Sequence, residues 1–211
     1  MWKLDNPLIQ ALDKLTDLVL ISVVWLVLCL TVVGIGPAMT ALYYASVKSI
    51  RRDRGSAVGE FFRCIRENWK LSAGCGLIFT VLGAALLLFD VPQILPMFRG
   101  SWSAAGLLSA VKAVLIGGIA VCLFPLISRY QVRFSGALVT ALTLSVRHFP
   151  AILAILALVL GAGLAVFSLP LLILILPGGV CVAASYLMEP VLLSILPPQE
   201  ESPGTDRWYL E

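Results

Sequence analysis

Long stretches of this chain pass without a charged side chain: Leu18 to Val47, Leu71 to Phe89 and Phe149 to Met188, with Lys112 alone interrupting Ala104 to Ser128. A helix needs about 20 residues to cross the roughly 30 Å of bilayer hydrocarbon. Each run approaches or exceeds that length, and the last has room for two helices joined by a tight hairpin. Of the 211 residues, 60% are hydrophobic and 13% charged, against roughly 25% charged in an ordinary globular chain. A soluble domain of this size cannot hide so much apolar surface. Lipid is therefore the expected solvent, and helices satisfy their own backbone groups there. The expectation is an all-α polytopic membrane helix bundle.

The spans are expected at about 15–33, 71–89, 104–128, 149–167 and 171–196, forming one membrane-embedded domain over 1–196 with a mobile cytoplasmic tail at 197–211. Lys3, Asp5, Asp13, Lys14 and Asp17 precede the first run and give no net positive charge, so it reads as a retained span and not a signal peptide. The turn of the last hairpin is placed at Ser168–Pro170, with Pro177–Gly179 as the alternative. The 18–47 run exceeds one span, and GIGP at 34–37 divides it, with Pro37 suited to a helix's first turn. After it, Ala38, Ala41, Leu42 and Ala45 share a stripe, while Tyr43, Tyr44 and Lys48 fall on other faces. That pattern predicts an amphipathic helix along the inner membrane surface, opening a basic cytoplasmic segment over 37–70. Its second part, EFFRCIRENWK, sets Phe61, Phe62, Ile65 and Trp69 at helical spacing among Arg63, Arg66 and Lys70, as suits anionic headgroups or a partner's groove. Ser72, Gly76 and Thr80 recur four apart, a spacing that permits close helix contact.

Lysine and arginine set orientation. Lys48, Arg51, Arg52, Arg54, Arg63, Arg66 and Lys70 follow the first span, and Arg129, Arg133 and Arg147 follow the third; Lys3, Lys14 and Arg99 oppose them. The N-terminus is accordingly expected outside and the C-terminus in the cytoplasm. Catalytic constellations are not evident. His148, the single histidine, lies three residues after Ser145 without an orienting third group, and reads as an interfacial residue. Five scattered cysteines lack metal or disulfide spacing, and no phosphate loop is present. No cofactor, metal or nucleic acid is expected. The charges within spans are Lys112, expected to snorkel to the interface, and Glu189, expected to pair with Arg129, Arg133 or Arg147.

LDNP at 4–7, DLVLISVVWLVLCLTVVGIGPAMTALYY at 17–44, EFFRCIRENWK at 60–70, FPLISRYQ at 124–131 and ALTLSVRHFP at 141–150 together resemble the YesL-like family of small bacterial membrane proteins. The resemblance implies about five spans around a domain of unknown function. Family genes commonly lie beside sugar-type ABC transporter components and glycan-degrading enzymes in Gram-positive bacteria. It therefore implies a cell-membrane accessory to carbohydrate uptake or polysaccharide utilisation. Met188-Glu189-Pro190 and the acidic tail stand where relatives tend to be basic.

The resulting expectation is a non-enzymatic accessory contacting lipid and an ABC permease or ATPase subunit. Its candidate interaction surface is Tyr43, Tyr44, Arg51, Arg52, Phe61, Phe62, Arg66 and Trp69. The alternative is a small transporter or channel in its own right, using Lys112 and Glu189 and the broken helices at 34–37 and 177–179.

Overall fold

The computed structural model describes residues 7–130 and 133–194; the expected tail at 197–211 lies outside the described residues. The described residues are overwhelmingly helical and contain no strand, which places the chain in the all-α class. Four helical stretches are long and apolar enough to cross a membrane: Ala57–Arg99, Ala104–Arg129, Phe149–Ser168 and Leu176–Leu193.

The chain begins with α1 (Pro7–Cys29) and returns through α2 (Ile35–Ala45), which runs on into a π-helical turn, Ser46–Arg51. Extended backbone at Thr31 ends α1 four residues earlier than the expected span to 33, and a short 3-10 turn follows. Only Leu18–Cys29 of α1 is free of charge, about 18 Å at 1.5 Å per residue, less than the hydrocarbon thickness. Glycine is required at position 34, because a Cβ there would fall 2.3 Å from the Leu28 carbonyl oxygen. α1 and α2 thus leave from and return to one end of the bundle. Lys14 of α1 meets Asp53, beyond the π turn, at 2.9 Å, and Asp13, Asp17 and Ser49 line the cleft between them. The start of α1 and the loop after the π turn therefore sit at the same end of the described structure, where the expectation set them on opposite sides.

The second correction concerns α2. The expected surface helix is the most enclosed element of the fold, with Ala38, Thr40, Ala41, Leu42, Tyr43, Tyr44 and Ala45 all buried. It crosses α3 (Ala57–Ala85) backbone to backbone. A Cβ on Gly36 would lie 2.0 Å from the Ser72 carbonyl oxygen, and one on Gly76 2.3 Å from the Gly36 Cα. Small residues allow such approach where lipid supplies no drive to associate, so the Ser72–Gly76 spacing is used as expected.

α3 also differs from expectation. Its first turns were assigned to a cytoplasmic segment and the span to 71–89, but a single helix runs through both. It opens where the Ser56 hydroxyl accepts the Gly59 N–H at 3.2 Å. It continues through a π turn at Leu86–Asp90, then α4 (Val91–Ile94) and a 3-10 turn to Arg99. α5 (Ala104–Arg129) packs antiparallel to it: Gly106 faces Gln93, and the Phe79 and Phe124 rings meet at 6.3 Å. α6 (Phe134–Arg147), a helix between the third and fourth expected spans, folds back on α5 with Ser145 against Gly118. α7 (Phe149–Ser168) matches the expected 149–167 to within a residue, while α8 (Leu176–Leu193) begins five residues after the expected 171. Both proposed turn positions take part: α7 stops at Ser168, a 3-10 turn fills Pro170–Leu174, and Pro177 sits in the first turn of α8.

Candidate functional site

The enclosed α2 delivers charge into the bundle. Its π turn carries Lys48 and Arg51 and is capped by Arg52, whose N–H donates to the Val47 carbonyl at 3.2 Å, and these side chains reach α3 and α8. π turns are rare and often accompany function.

Lys48 is only 4% exposed. Its ammonium donates to Glu60 of α3 at 3.1 Å and to the Tyr44 hydroxyl at 3.2 Å. Burial alone would lower its pKa, but the hydrogen bonds to Glu60 and Tyr44 outweigh it and hold it above the ordinary lysine value. Arg51 donates to the Ser185 hydroxyl and carbonyl of α8 at 3.1 and 3.2 Å, and its guanidinium lies 4.2 Å from the Tyr186 ring centroid. Arg52 reaches Glu189 of α8 at 3.5 Å. Glu189 also accepts from Arg129 at the end of α5, and these two side chains are 5% and 1% exposed. The Arg129 guanidinium lies 6.0 Å from the Tyr43 ring. One partly buried polar centre thus ties α2, α3, α5 and α8 together.

The candidate interaction surface therefore divides. Tyr43, Tyr44 and Phe61 belong to the core, and Arg51 and Arg52 to the polar centre. Phe62, Arg66 and Trp69 remain on the outer face of α3, with Phe62 49% and Trp69 43% exposed. The expected pairing of Glu189 with a basic residue near the end of α5 is met by Arg129, while Arg52, which caps the π turn, also reaches it. Lys112 does not snorkel alone. It pairs with Asp90, buried at the end of the α3 π turn, because the antiparallel register of α3 and α5 sets them side by side. His148 stands between α6 and α7, with Nε2 3.3 Å from the Ser194 hydroxyl, and Ser145 faces Gly118 instead of the imidazole. Cys64, Cys75 and Cys122 are buried among apolar neighbours.

The family model described as a protein of unknown function, DUF624, matches residues 18–91. That segment covers most of α1, all of α2, the π turn and α3, and so contains Tyr43, Lys48, Arg51, Arg52, Glu60 and Asp90, with Arg129 and Glu189 beyond it. No curated protein and no solved structure matches the chain. The fold and the matched family together define a membrane protein, similar over this segment to a family of unknown function.

Proposed function

We propose that the chain is a non-enzymatic membrane accessory that docks a partner subunit on the outer face of α3. The observation that carries this reading is the division of that helix. Ala57, Phe61 and Cys64 face the core, while Phe62, Arg66 and Trp69 form an exposed strip on the same rigid helix. Aromatic and arginine side chains held on a rigid element have the composition of interface hot spots. The polar centre beneath keeps that helix in place. Following the YesL-like resemblance, the partner is a permease or ATPase subunit of an ABC-type carbohydrate importer in a bacterial cell membrane. The basic loop, the start of α1 beside it and the docking strip lie at the cytoplasmic end, by the positive-inside rule. The transporter alternative draws less support, because Lys112 and Glu189 are both engaged in ion pairs.

The test is quantitative mass spectrometry of proteins co-purifying with the tagged chain in mild detergent. Importer subunits are expected to be enriched, and to be lost when Phe62 and Trp69 are both changed to Ala. Recovery of the chain alone, or enrichment indifferent to those changes, rejects the reading.

A further inference from the structure

Nearer the membrane than Phe62, a groove of about 510 Å³ is lined by the α3 turn from Arg66 to Leu71 and by Arg133, just before α6. Its one acid is already engaged: Glu67 accepts from Arg63 Nε at 2.9 Å. The Asn68 amide is turned away, onto the Cys64 carbonyl at 3.4 Å. Arg66, Lys70 and Arg133 are exposed and make no hydrogen bond or ion pair among the described residues. Three cations from two separate chain segments therefore border one opening whose one acid, among the described residues, is already engaged.

The position of the groove selects its occupant. After Lys70 the helix carries no charge until Asp90, and Arg133 follows closely on the end of the α5 span. The groove therefore sits where hydrocarbon gives way to headgroups. Trp69 is half exposed there, as suits an interfacial indole, and Leu71 closes the membrane-side wall. A basic pocket at that depth with an apolar lower wall matches a ligand carrying phosphate above and methylenes below. An acidic peptide would match the cations but leave the apolar edge unused.

We propose that this groove binds one anionic phospholipid, its headgroup phosphate held by Arg66, Lys70 and Arg133 and its glycerol end lying against Trp69 and Leu71. The groove shares Arg66 and Trp69 with the docking strip, while Phe62 belongs to the strip alone. Arginine and lysine near an anionic membrane surface each strengthen binding about fivefold, so removing two charges lowers the preference for anionic lipid by more than tenfold.

The test uses the full chain, stripped of lipid and presented with equal phosphatidylglycerol and phosphatidylcholine in mixed micelles, with bound lipids counted by native mass spectrometry. One phosphatidylglycerol is expected to be retained in preference to phosphatidylcholine. Lys70→Gln with Arg133→Gln is expected to abolish that preference, Arg66→Gln alone to weaken it, and Arg147→Gln and Phe62→Ala to leave it intact. Should the double variant fail to fold, the exposed Arg66→Gln change carries the test. No preference in the unaltered chain, or equal loss with Arg147→Gln, overturns the assignment. Displacement of the lipid by millimolar inorganic phosphate would make the groove a free-anion site and overturn it equally.

Discussion

Replacing Glu189 by Gln probes the polar centre at its most enclosed point. The carboxylate sits between Arg129, whose side chain is 1% exposed, and Arg52, whose side chain is 20% exposed. Without it, the Arg129 charge remains buried beside the Tyr43 ring and loses this enclosed carboxylate. Breaking a buried pair from one side costs about 3–5 kcal/mol, because the remaining charge stays desolvated. For a chain of this size each kcal/mol lowers Tm by about 2–4 °C, so the expected fall is on the order of 6–20 °C. Arg52→Gln removes the outer, longer contact to Glu189 from a more exposed side chain and should cost about 1 kcal/mol or less. Thermal unfolding in detergent can be followed with a thiol-reactive dye, since Cys64, Cys75 and Cys122 are buried until the bundle opens. Pairing Glu189→Gln with Arg129→Met should recover most of the loss, as both charges then leave the interior together. A fall under about 2 °C for Glu189→Gln, or one matched by Arg52→Gln, would refute the reasoning.

Further outcomes follow from the same geometry. Gly36→Ala and Gly76→Ala each drive a methyl into the opposing backbone and should sharply reduce folded yield on size-exclusion chromatography, whereas Gly74→Ala and Gly83→Ala, with nothing within 4 Å, should not. Phe61→Ala should cost about 3–5 kcal/mol in thermal unfolding, and Phe62→Ala within about 0.5 kcal/mol of nothing, since the first ring is fully buried and the second half exposed. Cysteines placed singly at Lys14 and Asp53 should be labelled from the same side of the membrane by an impermeant maleimide; labelling from opposite sides would break the α1–α2 hairpin.

The parts of this architecture open to a sequence reading are those decided by composition along the chain. Apolar runs mark α5 and α7 to within a residue, because crossing hydrocarbon is a property of a single helix, whereas α8 begins five residues after the expected 171. GIGP likewise divides α1 from α2. What sequence could not reveal is which partner covers an apolar face, since burial by lipid and burial by protein select the same residues. Tyr43 and Tyr44 therefore resembled the polar side of a surface helix, although α2 is wrapped by α3, α5 and α8. Asp90 and Lys112 looked unrelated because their pairing depends on the register of two antiparallel helices. The Arg52–Glu189 contact joins residues far apart in sequence, on helices whose crossing no local pattern encodes. α6 did carry a local signal, with Ala137, Ala141, Leu144 and Ser145 spaced four and three apart on its buried face, but at 14 residues it falls short of a span and drew no assignment.

The central claim is that residues 35–51 form the enclosed core and polar centre, leaving the outer face of α3 as the working surface. It is tested most directly by thiol labelling in native membranes, with the five native cysteines replaced by Ala and single cysteines introduced at Thr40, Tyr44, Val47, Phe62 and Trp69. Protection at the first three positions, with ready modification at Phe62 and Trp69, is the predicted result. Labelling of Thr40, Tyr44 and Val47 at rates matching Phe62 would return that segment to the membrane surface and contradict the account.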